Sequence, residues 1–197
     1  MQTKFRAISL SHKTAPVQIR ELISLDEQSI QRILLRLKEF FSLSDALILS
    51  TCNRTEVYYG HDLDLSTEII KLVGIERGLS DVVNYLEYFE VYNEDRAAIN
   101  HLFRVSMGLE AQVVGDIQIS NQVKRAYQTA ADLELAGPFL HRLMHTIFFT
   151  NKRVVQETSF RDGAASTSYA AVELIEELTY HLEKPRVLLI GVGDIGK

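Results

Sequence analysis

The chain has 197 residues, of which 46% are hydrophobic and 24% charged, as in an ordinary soluble globular protein with one sizeable core. Its net charge of −5 argues against a generally basic nucleic-acid binder, and no apolar run approaches the roughly 20 residues that span a bilayer. A single cysteine excludes an internal disulfide and a cysteine-rich zinc site, and without a signal-peptide core we expect a cytoplasmic protein.

The first hundred residues alternate short strands and helices. Apolar runs bounded by polar residues predict strands at residues 5–10, 45–50, 55–60 and 88–92. Residues 11–22 are predicted to form a loop. Ser24 and Glu27 match a capping box, so a helix should follow them, and another helix is predicted over residues 65–78. This alternation indicates an α+β or α/β domain.

After residue 92 the pattern is almost entirely helical. Asn93 is the predicted cap of a helix whose first turn carries Glu94 and Asp95, the charges favoured at a positive helix end. Two further helices are predicted over residues 138–158 and 168–182, because each has an apolar stripe at helical spacing.

The C-terminal end has a different pattern. Residues 186–190 predict a buried parallel strand, and the "GVGDIG" that follows fits the G-x-G-x-x-G pattern of a dinucleotide-binding turn, with a plain loop as the alternative. The candidate cofactor-binding residues are Gly191, Val192, Gly193, Asp194, Ile195 and Gly196. We expect one domain over residues 1–160, and a linker helix with the truncated beginning of a Rossmann-type domain over residues 161–197. The cofactor site should be incomplete, and the unpaired strand should lie against another molecule or fold back onto the first domain.

The only cysteine, Cys52, lies in "STCNRTEVYY" at a polar turn between two predicted strands. A thiol in that position can face a cleft and act as a nucleophile, and the guanidinium of Arg54 would favour the thiolate and hold an anionic substrate group. The alternative is an inert, half-buried thiol. His101, on the helix predicted after Asn93, is likewise either structural or catalytic.

Basic residues are concentrated late in the chain. Residues 122–161 contain six Lys or Arg residues against three acids. Two interpretations stay open: a solvated helical face, or a surface that contacts phosphates.

Four sequence blocks, in order along the chain, resemble one enzyme family. They are "SLSHKTAPVQIRE", "STCNRTEVYY", "HLFRVSMGLEAQVVGDIQISNQVKRAY" and "GAASTSYAAVEL". These blocks look like the N-terminal signature, the nucleophile motif, the histidine-to-glutamine block and the helix before the NADPH domain of glutamyl-tRNA reductase. The resemblance covers essentially all 197 residues.

That resemblance implies an oxidoreductase of porphyrin (tetrapyrrole) biosynthesis with a catalytic, an NADPH-binding and a helical dimerisation domain. The Cys52 thiolate would attack the ester of glutamyl-tRNA, and NADPH would reduce the resulting thioester to glutamate-1-semialdehyde. The implied partners are glutamyl-tRNA, the aminomutase that is the next enzyme of the pathway, and a second copy bound through a C-terminal domain, with no membrane. This chain alone would perform only the acyl transfer.

The resemblance also assigns site residues and no metal. His101 would polarise or protonate near the reacting carbonyl, and Arg54 would grip the substrate carboxylate with a bidentate fork. The implied substrate-binding residues are Thr51, Asn53, Arg54, Ala111, Asp116, Ile117, Gln118 and Gln122. Ala111 stands where the family usually has serine, and Asp116 where it usually has glutamate, which puts details of the pocket in doubt.

Two other function classes stay open. A different thiol acyltransferase or hydrolase would use Cys52 without needing the glycine motif. A non-catalytic RNA- or protein-binding module would need neither.

Overall fold

The computed structural model describes residues 4–79, 81–160, 167–188 and 190. Its strands are β1 (Lys4–Ser11), β2 (Ala46–Ser50), β3 (Arg54–His61) and β4 (Glu90–Tyr92). Its helices are α1 (Val17–Ile23), α2 (Glu27–Phe41), α3 (Ser66–Glu76), α4 (Asp95–Ser106), α5 (Ile117–Asp132), α6 (Pro138–Glu157) and α7 (Thr167–Thr179), with a 3₁₀ helix over Val82–Tyr88. The predicted α+β class, with strand–helix alternation followed by helices, is confirmed.

The four strands form one antiparallel sheet in the order β2-β3-β1-β4. This is the order of a split β-α-β arrangement, in which each crossover passes over one strand. β1 pairs with β3 along its whole length, from Lys4 opposite His61 to Ser11 opposite Arg54. The two central strands, β3 and β1, are therefore hydrogen-bonded to a neighbour on each side. The turn between β2 and β3 lies beside the end of β1.

Both faces of the sheet are covered, because successive side chains of a strand point to opposite faces. Ile8 and Leu10 pack into a core with α1, α2 and α3, whereas Phe5 and Ala7 pack into a second core with α4, α5 and α6. This double burial explains why β2 appears in the sequence as a nearly continuous apolar run. No helix in the described part of the chain is long and apolar enough to cross a membrane.

Several helix starts differ from the prediction. Residues 17–22 of the predicted loop form α1 together with Ile23. This helix follows Pro16 and buries only Ile23, too little apolar periodicity to be recognised. Asp26 caps α2 by accepting a hydrogen bond from the Ser29 backbone at 2.8 Å, so the capping box at Ser24 was wrong. The N-cap of α4 is Glu94 instead of Asn93, and it makes no side-chain capping bond.

The helical pattern after residue 92 is interrupted between α4 and α5 by a loop over residues 107–116. Gly108 has φ 77° and Gly115 has φ 91°, a backbone region in which residues with a Cβ are strained. A Cβ on Gly108 would lie 3.0 Å from the Asp116 carbonyl oxygen, so the loop is closed tightly on itself. This loop carries two of the predicted substrate-binding residues to the end of the sheet.

The strand predicted over residues 186–190 was wrong for the residues that the structure describes there. Residues 186–188 and 190 form no strand, and Leu188 and Ile190 are 83% and 87% exposed, so they do not fold back onto the first domain. A parallel strand needs neighbours on its edges, and no strand of the described chain lies beside these residues. The predicted cofactor-binding residues, 191–196, lie outside the described residues.

Candidate active site

Cys52 is exposed on the three-residue turn that joins β2 to β3. Three hydrogen bonds fix the backbone of this turn: Thr51 N–H donates to the Arg54 carbonyl at 2.8 Å, His12 N–H to the Asn53 carbonyl at 2.9 Å, and Arg20 Nε to the Cys52 carbonyl at 3.3 Å. The thiol is therefore presented to solvent on a rigid support, and it is not half-buried as the inert alternative supposed.

The loop between α4 and α5 and the start of α5 form a small cavity with this turn. The cavity has a volume of about 190 Å³ and contains most of the predicted site residues in its wall. They are Thr51, Cys52, Asn53, Arg54, Ala111, Asp116, Gln118 and Gln122, joined by Gln112 and Ile119, which the sequence did not indicate. Ile117, also predicted, is 48% exposed and does not line the cavity, because it begins α5 on the side facing solvent. We call this space the acyl cavity.

Asp116 has a structural task as well as its place in the acyl cavity. Its carboxylate caps α5 by accepting a hydrogen bond from the Gln118 backbone at 2.8 Å. An acidic side chain is favoured at this positive helix end. The cap fixes the carboxylate at the cavity wall, and contact with the substrate amino group stays a prediction.

Glu56, two positions after Arg54 on β3, is fully buried beneath the acyl cavity and accepts four hydrogen bonds. The donors are Arg54 Nη1 at 2.9 Å, Tyr58 OH at 2.6 Å, Ser9 Oγ at 2.8 Å and His101 Nε2 at 3.1 Å. Burial raises the pKa of this carboxyl, but the hydrogen bond from His101 and the charge of Arg54 outweigh burial and lower the pKa to about 2. The available sequence signal was the spacing of Arg54 and Glu56, because side chains two positions apart on a strand point to the same face of the sheet.

Arg54 is only 2% exposed, and the protein holds both ends of its guanidinium. Nη1 bonds to Glu56, and Nη2 donates to the backbone carbonyl of Glu110 in the α4–α5 loop. Each of these nitrogens carries a second hydrogen, so the side chain can still donate into the acyl cavity that it lines. Glu56 thus holds the Arg54 guanidinium in a fixed orientation. Hydrogen bonding of this guanidinium to a substrate carboxylate stays a prediction.

His101 lies on α4 and is 8% exposed, but it does not line the acyl cavity. Its ring stacks on Tyr92 with 4.4 Å between ring centroids, and its Nε2 faces Glu56. With the carboxylate ionised, Nε2 carries the proton, which leaves Nδ1 for any contact with substrate. The structure thus connects His101 to Cys52 indirectly, through Glu56 and Arg54, and its catalytic role stays a prediction.

Cationic side chains surround the same turn. Lys13 and Arg104 both pair with Glu110, which ties the end of β1 and α4 to the α4–α5 loop. Burial lowers the pKa of His12, and the charges of Arg54 and Lys13 lower it further, so this ring is neutral near pH 7. Sequence reasoning did not single out His12 or Arg20, because nothing local marks them as neighbours of the thiol.

The basic residues of segment 122–161 lie on different parts of the structure. Arg125 lines a cavity between α2 and α5, whereas Arg153 pairs with Glu157 at 2.8 Å at the exposed C-terminal end of α6. Part of the positive charge on α6 is therefore compensated locally. In the described part of the chain no group of three or more His, Cys, Asp or Glu side chains could hold a metal ion.

Comparison with known proteins agrees with this geometry. Residues 8–158 match the family model described as Glutamyl-tRNAGlu reductase, N-terminal domain. The chain belongs to the glutamyl-tRNA reductase family. The matched residues include the Cys52 turn and the whole wall of the acyl cavity.

Curated relatives and a solved structure extend the match. A glutamyl-tRNA reductase of Cytophaga hutchinsonii is 57% identical over 196 residues, covering 100% of this chain and 46% of that protein. One of Pelobacter propionicus is 38% identical, covering 95% of this chain and 43% of its own length. The structure of glutamyl-tRNA reductase from Methanopyrus kandleri superposes with a TM-score of 0.70 at 32% identity, covering 90% of this chain and 40% of that one. The chain thus spans about half the length of the curated relatives it matches.

Proposed function

We propose that this chain binds glutamyl-tRNA and forms the cysteine thioester in an NADPH-dependent glutamyl-tRNA reductase, which produces glutamate-1-semialdehyde for tetrapyrrole synthesis. The observation that carries the proposal is the exposed thiol of Cys52 at the rim of a small polar cavity, in a chain that belongs to this family. A cytoplasmic location, homodimerisation through a C-terminal domain and contact with the aminomutase remain expectations from the family resemblance.

The acyl cavity suits a glutamyl group in size and polarity. Its volume of about 190 Å³ is below the range of roughly 300–1,000 Å³ that holds a whole drug-sized ligand. Arg54 would donate to the side-chain carboxylate, and the amides of Gln118 and Gln122 would orient the chain. The Asp116 carboxylate would face the ammonium group.

The chemistry is an acyl transfer to sulfur. The Cys52 thiolate attacks the ester carbonyl carbon, a C–S bond forms, and the C–O bond to the terminal ribose breaks. The ribose oxygen leaves with a proton, and the glutamyl group stays on the enzyme as a thioester. NADPH supplies the hydride for the later reduction, and the described residues serve that step by holding the acyl group in place.

Mass spectrometry of the protein mixed with glutamyl-tRNA, without NADPH, tests the proposal. We expect one glutamyl group on the peptide that contains Cys52, removable by hydroxylamine as a thioester should be. Binding of tRNA without any acyl-enzyme would instead support the non-catalytic RNA-binding module.

A further inference from the structure

Cys52 lines a second cavity, on the α1 side of its turn. This cavity has a volume of about 430 Å³, and Val17, Arg20 and Glu21 of α1 line it together with Ser24, Leu25 and Ser50. The three turn residues, Thr51, Cys52 and Asn53, are the residues it shares with the acyl cavity. We call it the α1 cavity. Unlike the acyl cavity, it is in the size range that holds a whole drug-sized ligand.

We propose that the α1 cavity binds the 3′-terminal nucleotide of the tRNA, the leaving group of the acyl transfer. This inference rests on the proposed function and adds a subsite to it. When the ester carbonyl carbon is at the sulfur of Cys52, the glutamyl chain and the ester oxygen extend from that carbon in different directions. Because the glutamyl chain occupies the acyl cavity, the ribose attached to the ester oxygen enters the other space that the thiol borders.

Arg20 gives the α1 cavity a group suited to a phosphodiester. Its Nε donates to the Cys52 carbonyl at 3.3 Å and its Nη1 to the Ala15 carbonyl at 2.9 Å, so the guanidinium is fixed in the wall. A guanidinium has five N–H groups, and those not used by the two carbonyls can bond phosphate oxygens. Arg20 thus joins the nucleophile's backbone to the place where the last phosphate of the RNA would lie.

The other side chains of the α1 cavity suit a nucleoside. Val17 and Leu25 provide apolar surface on which a base or ribose can pack. The carboxylate of Glu21, on the exposed side of α1, can accept hydrogen bonds from ribose hydroxyls or a base amino group. The wall thus combines a phosphate partner, an apolar surface and a hydrogen-bond acceptor.

The α1 cavity borders a third cavity that could take the preceding nucleotide. Leu25 and Ser50 line both, and the third space, about 490 Å³, extends between α2 and α5 to Arg125. Arg125 belongs to the basic segment of residues 122–161 and is thus positioned to meet backbone phosphate. The acceptor strand would then run from the thiol past α1 towards α5.

The test compares two acyl donors: glutamyl-tRNA and a glutamate α-thioester with a small alkyl leaving group, which needs the acyl cavity alone. Val17 is 49% exposed, so Val17→Trp fills the α1 cavity without disturbing the core. We expect it to slow Cys52 acylation by glutamyl-tRNA by about tenfold or more while the small thioester reacts within about twofold of wild type. Gln18→Trp, at an exposed neighbouring position on α1 that does not line the cavity, is the matched control and should leave both rates unchanged.

Arg20→Gln examines the phosphate contact separately. We expect slower acylation by glutamyl-tRNA and a salt dependence reduced by about one unit of slope. Because Arg20 also bonds the Cys52 carbonyl, the small thioester should react more slowly too, but its loss of rate should be clearly smaller than the loss with glutamyl-tRNA. Equal loss with both donors would overturn the assignment, because Arg20 would then act only by fixing the Cys52 turn. Unchanged acylation by glutamyl-tRNA in Val17→Trp would overturn the subsite itself.

Two further outcomes are distinguishable. If wild-type protein is acylated by neither donor, the proposed function fails. If Val17→Trp in the full-length protein is acylated normally but loses NADPH-dependent reduction, the α1 cavity holds the nicotinamide, and the nucleotide assignment is wrong.

Discussion

His101 Nε2 lies 3.1 Å from Glu56 Oε1, and both side chains are buried. The same carboxylate oxygen accepts a hydrogen bond from Arg54, which lines the acyl cavity. One buried carboxylate therefore orients the two groups that the family resemblance assigns to the substrate carboxylate and the reacting carbonyl.

Glu56→Gln should lower the free energy of unfolding by about 3 kcal/mol, because it leaves Arg54 buried without its counter-charge. Urea denaturation measures the change. Glu87→Gln, which alters an exposed acid on the 3₁₀ helix, is the control and should change stability by less than about 0.5 kcal/mol. A Glu56 variant as stable as the control would show that the ionic contacts contribute nothing net.

The same carboxylate predicts a pH dependence. The folded-state pKa of Glu56 is about 2, below its unfolded value near 4.5, so its ionisation stabilises the fold above pH 4.5. That contribution is lost as the pH falls from 4.5 towards 2. The difference in unfolding free energy between wild type and Glu56→Gln should therefore shrink over this interval, in denaturation curves recorded at pH 7, 5, 4 and 3. A difference that does not change with pH would contradict the ionised state.

Cys52→Ser should abolish acyl transfer from glutamyl-tRNA, since the chain has no other thiol. Because the side chain is exposed, unfolding free energy should stay within about 0.5 kcal/mol of wild type. Trapping of the acyl-enzyme gives the first result and urea denaturation the second. Thioester formation at a tenth of the wild-type level would refute the nucleophile assignment.

Arg54→Lys should reduce both acylation and stability. A lysine cannot serve the Glu56 carboxylate and the Glu110 carbonyl together while also presenting a two-point donor to substrate. We expect at least a tenfold loss in the acylation rate and about 1–3 kcal/mol in unfolding free energy. Loss of stability with near-normal acylation would assign Arg54 to support of Glu56 alone.

Gly108→Ala tests whether the α4–α5 loop positions the acyl cavity. The added Cβ meets the Asp116 carbonyl at 3.0 Å in a left-handed backbone, so Asp116 and the start of α5 must shift. Gly78→Ala has a similar φ of 69° but open space around its Cβ, and it serves as the matched control. Both should lose about 1–2 kcal/mol of stability, and only Gly108→Ala should slow acylation. Equal acylation rates in the two variants would show that the α4–α5 loop does not position the acyl cavity.

Sequence patterns predicted the sheet better than its surroundings. Each of the four strands was found from its own apolar run, and Cys52 stood out because polar residues interrupt two such runs. α1 was missed because seven residues with one buried side chain carry almost no periodic signal. The strand predicted at residues 186–190 was wrong for the described residues there, because a parallel strand needs neighbouring strands and none in the described chain lies beside them.

The candidate site shows the same limit. Glu56 meets Ser9 and His101 across 47 and 45 positions of sequence, and spacing alone cannot predict such contacts. Only the family resemblance joined residues 51–54 to Asp116, Gln118 and Gln122, with which they share the wall of the acyl cavity, and it also included Ile117, which does not line that cavity. Arg20 lies in neither of these two segments. Its bond to the Cys52 carbonyl depends on the position of α1, which sequence spacing does not predict.

The pairing of β1 with β3 also bears on how the chain avoids misfolding. In the native alignment Ser9 lies opposite Glu56, and both face α4. Sliding β3 by one position would turn every one of its side chains to the other face of the sheet and bring the Glu56 carboxylate among the apolar side chains of α2 and α3. An unpaired charge in that core is far more costly than a misplaced apolar group. The buried Glu56 carboxylate therefore makes a misaligned sheet unfavourable during folding. A substitution that removes this charge should allow misaligned sheets to form, and such sheets are prone to aggregate.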